Sequence, residues 1–142
     1  MTIRAILNSK HSEILSISAS ETVEQAVALM ADRRIGALPV VEGDLVLGVF
    51  SERDVIYGLA REGAQFLNQP VSNAMITPVI TVEPDESAIG ALSLMTLRRI
   101  RHLPVIENGK QIGFVSIGDI VKYRIDRIES EAASLRDYIQ SA

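Results

Sequence analysis

The chain has no cysteine among its 142 residues, so neither a disulfide frame nor thiol chemistry is open to it. That absence suits a cytoplasmic setting. Histidine is nearly as scarce: His11 and His102 stand far apart, without the spacing of metal ligands. Positive charge is not in excess either, since 14 Lys and Arg against 18 Asp and Glu leave a net charge of −4. A surface built for nucleic acid would need the opposite balance, because its affinity comes from neutralising phosphates. No apolar run approaches the ~20 residues that span a bilayer. The start, MTIRAILNSKHSEI, lacks the apolar stretch and small-residue cleavage site of a secretory signal. Catalytic motifs are missing as well. Gly43 and Gly48 have P-loop spacing, but Val49-Phe50 follows where Lys-Ser/Thr is required. There is no GxGxxG, HExxH or GxSxG, and no serine or cysteine nucleophile with a histidine base. The expectation is a non-enzymatic, soluble, cytoplasmic protein without a membrane or nucleic-acid partner. With 47% hydrophobic and 23% charged residues, the chain can still bury a substantial core.

What is present is said twice. The segment Glu21–Val55, ETVEQAVALMADRRIGALPVVEGDLVLGVFSERDV, returns without a gap as Glu86–Ile120, ESAIGALSLMTLRRIRHLPVIENGKQIGFVSIGDI. An offset of 65 carries Met30 to Met95, Pro39 to Pro104, Gly48 to Gly113, Ser51 to Ser116 and Asp54 to Asp119. Such a repeat fixes the architecture ahead of any local reading.

Each copy reads as strand, helix, strand, turn, strand, helix. The first short strands are Ile14–Ile17 and Val79–Val82. Ser20 and Asp85 stand as N-caps, with Glu21 and Glu86 in the electropositive first turn. Ala26, Leu29 and Met30, and likewise Ala91, Leu94 and Met95, keep the i, i+3, i+4 face of a helix. The strands Leu38–Val41 and Leu103–Ile106 follow, and Pro39 and Pro104 mark an edge or a strand beginning. Gly43-Asp44 and Asn108-Gly109 are hairpin turn signals leading into Leu45–Phe50 and Gln111–Val115. Helices start at Ser51 and Ser116. The first ends near Glu62-Gly63, with Gly63 as its cap. The second runs on to about Gln140, with Val121, Ile125, Ile128, Ala132, Leu135 and Ile139 at alternating steps of four and three. That helix spans roughly 30 Å. Gln65–Pro78 links the copies through a short helix near Val71–Met75, and Ile3–Leu7 is its counterpart ahead of copy one.

The candidate site is Gly48-Val-Phe-Ser51-Glu-Arg-Asp54 with its echo Gly113-Phe-Val-Ser116-Ile-Gly-Asp119. Ser-x-x-Asp at a helix start is a capping box, in which hydroxyl and carboxylate satisfy two free amides. The same corner presents amides, a hydroxyl and a carboxylate together, a set that can hold the hydroxyls of a ribose. Both readings stand at this point. Arg33-Arg34 and Arg98-Arg99 close the first helices, where cations favour the helix C-terminus. Arg101 and His102 sit at the mouth of a strand where copy one has Gly36-Ala37. Cations there, and Arg53 within the turn, suit a phosphate, while Gly36-Ala37 lets a flat base approach the backbone. Together these residues suggest a mononucleotide-sized anionic ligand.

RRIGALPVVE with GVFSERD, and RRIRHLPVIE with GFVSIGD, clearly resemble the CBS domain family in its tandem form, the Bateman module. The resemblance covers nearly the whole chain except the extended last helix. It implies an α/β (α+β) fold of two β-α-β-β-α repeats packed with pseudo-twofold symmetry, with residues 1–68, 69–124 and 125–142 as first repeat, second repeat and helix extension. It further implies two clefts that take AMP, ADP, ATP, NAD(H) or S-adenosylmethionine, with no obligatory cofactor. By position, Asp54 and Asp119 would hold ribose hydroxyls, with Ser51 and Ser116 beside them. Ile35, Gly36 and Ala37, and Ile100, Arg101 and His102, would line base pockets, while Arg53, Arg101 and His102 would face phosphates. Each cleft is expected to take its base strand from one copy and its Ser/Asp turn from the other. Without a fused effector domain, the output would pass through an unidentified protein target or a homodimer. The competing reading is a ligand-free dimerisation or partner-binding module whose motifs are caps alone.

Overall fold

The computed structural model describes residues 1–11 and 13–141. In chain order the elements are α1 (Ile3–Lys10), β1 (Ile17–Ser18), α2 (Val23–Arg33), β2 (Ala37–Glu42), β3 (Leu45–Ser51), α3 (Glu52–Glu62), two 3₁₀ turns (Gly63–Asn68 and Val71–Asn73), α4 (Ala88–Arg98), β4 (His102–Glu107), β5 (Lys110–Ser116) and α5 (Ile117–Ser141). β1, β2 and β3 form one sheet in that order, and β4 and β5 form a second. The two repeats pack with pseudo-twofold symmetry, and β3 and β5 bring the sheets together. No helix among the described residues is long and apolar enough to cross a membrane.

The repeat carries through to individual contacts. Leu38 opposes Phe50 as Leu103 opposes Val115, and the register slips once in each hairpin, at Val40/Val41 and at Val105/Ile106. The turns follow their sequences: Asn108 and Gly109 take φ of 52° and 79°, the left-handed pair a two-residue hairpin turn demands. Ile17, Val23, Ala26, Met30, Leu38, Val40 and Phe50 form one core, and Val82, Ala88, Ala91, Met95, Leu103, Val105 and Val115 form the other. These two sets are the same seven positions moved by 65. Burying such side chains contributes about 1.5–3 kcal/mol each.

Three local expectations are corrected. The caps of α2 and α4 are Thr22 and Ser87, whose side chains accept from the amides of Gln25 and Gly90, rather than Ser20 and Asp85. Glu21 and Glu86 instead turn back to the amides of Ser18 and Glu83, holding the bend that precedes each helix. The first strands shrink to Ile17–Ser18 and to a single bridge between Val82 and Val105. Only the end of each apolar run reaches a sheet. Of the two places expected for Pro39, the strand beginning holds and the edge does not: it lies near the start of the central strand, and β1 pairs only with Val40 and Val41 beyond it. The proline's missing donor therefore falls ahead of the paired stretch.

The segments that lead into the two copies are exchanged. Ile3 and Ile6 of α1 are buried in the second core, whereas Phe66 and Val71 of the linker are buried in the first. Backbone bonds mirror this: Ile3 N–H donates to Glu86 and Ala88 N–H to Met1, as Val71 N–H donates to Glu21 and Val23 N–H to Gln69. Two glycines make room for it. A Cβ on Gly48 would sit 2.7 Å from the Ile76 carbonyl, and one on Gly113 would sit 2.6 Å from a Leu7 methyl. The expected short helix near Val71–Met75 is the 3₁₀ turn Val71–Asn73.

Candidate functional site: two clefts between the repeats

The Ser-x-x-Asp corners form at the starts of α3 and α5. Ser51 N–H donates to Asp54 Oδ2 at 2.8 Å, and Ser116 N–H donates to Asp119 Oδ2 at 2.8 Å. The Asp54 and Asp119 amides in turn donate to the serine hydroxyls, so both capping boxes are complete. Arg34 and Arg99 close α2 and α4 in the left-handed conformation, with φ of 53° and 56°. Ile35 and Ile100 then donate back to Met30 and Met95, which aims Gly36-Ala37 and Arg101-His102 into their strands.

The pseudo-symmetric packing sets each corner against the strand mouth of the other copy. In the first cleft, Ser51, Glu52 and Arg53 face Arg99, Ile100, Arg101 and His102, under a wall of Ile76, Pro78, Val79 and Ile80. In the second, Ser116 and Asp119 face Ile35, Gly36 and Ala37, with Lys10, Ile14, Leu15, Arg33, Phe114 and Glu13 around them. Of the residues that the family resemblance assigns to ligand contact, Asp54 alone is missing from these walls. The apolar runs that fail to become strands supply the walls instead, Ile14-Leu15 in one cleft and Val79-Ile80 in the other.

The clefts differ in charge and room. Three arginines line the first against one carboxylate, Glu52. The second balances Lys10 and Arg33 against Glu13 and Asp119. The cationic cleft encloses only about 100 Å³, while the balanced one encloses about 510 Å³. Arg53 contributes to that narrowness, since its guanidinium reaches the Arg99 carbonyl of the other copy at 3.4 Å.

Lys10 marks the second cleft. Its ammonium donates to Asp119 Oδ2 at 2.8 Å and to the Phe114 carbonyl at 2.7 Å. Burial pushes the Asp119 carboxyl up, but Lys10 and the Ser116 amide and hydroxyl outweigh it and hold the group below the ordinary carboxylate value. Asp54 has no such partner. Burial raises it, against the bonds from Ser51 and the charge of Arg53. Burial lowers His102 despite Asp119 and Glu52, and Lys10 and Arg101 lower it further. The neutral ring stacks on Phe114 with centroids 5.4 Å apart, so at this junction of both clefts it is a flat wall rather than a cation. Among the described residues, no cluster of His, Asp and Glu is placed to hold a metal ion.

The sequence offered no sign of Lys10, which reaches Asp119 across more than a hundred residues and lies outside the repeat. Arg99 was visible as a helix-ending cation but not as a cleft residue. Its left-handed cap sends its side chain and carbonyl to the first cleft.

Two helix-backed hairpins, joined in tandem around paired clefts, are the architecture of a CBS domain pair. The chain belongs to the CBS domain family, which it matches over residues 3–61 and 71–126. It is 36% identical over 128 residues to the CBS domain-containing protein CBSX3, mitochondrial, of Arabidopsis thaliana, covering 87% of this chain and 62% of that protein. The chain therefore spans less than two thirds of that relative's length. It is similar to the crystal structure of the CBS-domain containing protein ATU1752 from Agrobacterium tumefaciens, with a TM-score of 0.82 at 35% identity over 87% of this chain and 92% of that one. It shares the fold of CBSX2 in complex with AMP, with a TM-score of 0.69 at 23% identity over 80% of this chain and 88% of that one.

Proposed function

We propose that this chain is an adenine-nucleotide-binding regulatory module, taking AMP, ADP, ATP or NAD(H), and that it acts through a protein target or its own dimer in the cytoplasm. The observation that carries the reading is the crossed assembly of the clefts, in which each Ser/Asp corner faces the strand mouth of the other copy. In the second cleft Asp119 and Ser116 accept ribose hydroxyls, and the Gly36-Ala37 backbone receives the base. At about 510 Å³ that cleft lies within the range of small-molecule sites. In the first cleft Arg53, Arg99 and Arg101 meet phosphate, Ser51 stands at the corner, and Ile100 and His102 flank the base. Entry there requires Arg53 to leave the Arg99 carbonyl. Asp54, which unlike Asp119 does not line its cleft, takes part in ribose recognition only if the corner shifts. The AMP complex of CBSX2 supports the ligand class at the level of shared fold.

A thermal-shift series with AMP, ADP, ATP, NADH and S-adenosylmethionine tests this. A ligand at a hundredfold excess over Kd stabilises the fold by about 2.7 kcal/mol. The expected result is stabilisation of the wild type that Asp119→Ala and Arg101→Ala diminish. The proposal fails if no nucleotide stabilises the wild type at millimolar concentration.

The completed capping boxes favour a second reading, a ligand-free assembly module. Under it, Asp54→Ala and Asp119→Ala lower stability as lost caps, and no nucleotide stabilises either variant or the wild type.

A further inference from the structure

The last helix leaves the body. Ile120 is buried and Tyr123 half-buried, but from Arg124 to Ser141 every described residue of α5 is exposed. α5 has 25 residues and is roughly 37 Å long. Its apolar seam therefore does not fold over its own subunit. Ile125, Ile128, Leu135 and Ile139 are between 49% and 63% exposed, on a face about a quarter turn from the side that meets the body. An overhang of this kind has no tertiary packing to hold it helical, and helical propensity alone is marginal at such lengths.

We infer that α5 pairs with α5 of a second copy as a parallel two-stranded coiled coil. The seam sets the heptad, with Ile125, Ala132 and Ile139 at the a positions and Val121, Ile128 and Leu135 at d. The charges on either side of it select both the partner and the direction. In a parallel pair each g residue faces the e residue five further on in the partner. That sets Arg124 against the partner's Glu129 and Glu131 against the partner's Arg136, attractive both times and repeated by symmetry. The antiparallel arrangement that overlaps the whole seam does the opposite. It sets Glu129 against the partner's Glu129, Glu131 against the partner's Glu131, and Lys122 against the partner's Arg136. The flanking charges thus match a second parallel copy and oppose the reverse one. Exposed ion pairs add little strength, so they fix orientation while the seam supplies the association. The inference does not depend on whether any nucleotide binds.

Sedimentation equilibrium on the full chain, without nucleotide, tests association, and the absence of native cysteine makes the direction testable by cross-linking. The wild type is expected to be a dimer, and Ile128→Glu/Leu135→Glu, both at exposed positions, a folded monomer by circular dichroism. Arg124→Glu should raise the dimer dissociation constant by about tenfold, and Arg124→Glu/Glu129→Arg should restore it. On oxidation, Leu135→Cys should give a covalent dimer, since d residues face each other in a parallel pair. A monomeric wild type overturns the inference, as does a dimer that the Ile128→Glu/Leu135→Glu variant leaves intact. Cross-linking that needs Ile125→Cys and Leu135→Cys together, with neither alone sufficient, overturns the parallel direction.

Discussion

The two clefts are made from equivalent positions, yet one gathers cations and the other cancels them. The cause is the crossed packing. Where the copies differ, copy one carries Arg53 against Gly118 and copy two carries Arg101 against Gly36. Taken copy by copy, each carries one arginine where the other has glycine. Because a corner from one copy meets a strand mouth from the other, both arginines fall into the first cleft. Gly36 and Ala37 line the second, opposite the Ser116 corner to which Gly118 belongs. A pair of scattered substitutions becomes one concentrated charge difference, and a module with two like sites becomes one with two unlike sites.

The largest expected effect breaks the equivalence of the copies at their glycines. A methyl on Gly48 meets the fixed Ile76 carbonyl and the Met75 sulfur, whereas one on Gly113 meets only the tip of Leu7. Gly48→Ala should therefore cost about 2–3 kcal/mol by urea denaturation, and Gly113→Ala less than about 1 kcal/mol. Equal losses would mean that the α1 segment is as rigidly seated as the linker.

Next comes charge. Arg101→Ala should weaken AMP binding by about tenfold in calorimetry while leaving adenosine within about twofold, because a charge-assisted bond to phosphate is worth about 1.5–3 kcal/mol. If both ligands weaken together, Arg101 shapes the cleft rather than recognising phosphate.

The smallest effect lies in the acids. Asp119 sits below its unfolded value, so it contributes stability above about pH 4 that is lost as pH falls through its folded pKa. Asp54 sits above its unfolded value, so its contribution has the opposite sign and grows as pH falls through that window. Lys10→Met should remove the Asp119 contribution and flatten the acid limb of the stability curve by at most about 1 kcal/mol. Asp54→Asn should steepen it. Thermal melts between pH 3 and pH 6 measure both, and an unchanged acid limb in Lys10→Met would separate Lys10 from Asp119.

Much of the fold was legible because its determinants are local and repeated. The hairpin turns, the capping boxes at Ser51 and Ser116 and the Gly63 cap each rest on a few adjacent residues, and the offset of 65 let one copy check the other. The first strands misled because the apolar run Ile14–Ile17 has the composition of a strand, while Ile14 and Leu15 serve a cleft wall. The caps of α2 and α4 misled because two cap-forming residues lie close together, and the reciprocal Thr22–Gln25 bond decided between them. The lead segments were opaque for a different reason. Ile3 and Val71 occupy matching places at an offset of 68 in sequences with little in common, and the contacts that equate them cross between copies. Lys10 belongs to the same class, as its bond to Asp119 has no local signal at all.

The exchanged lead segments also bear on how such a chain could have arisen. Each repeat completes its core with a piece that precedes the other repeat, Ile3 and Ile6 for the second and Val71 for the first, so each repeat's own lead segment lies off its own core. A single-repeat ancestor that kept its lead segment in front could seat that segment by a reciprocal swap between two chains. Duplication and fusion would then have turned an encounter between molecules into a fold within one, and made it independent of concentration.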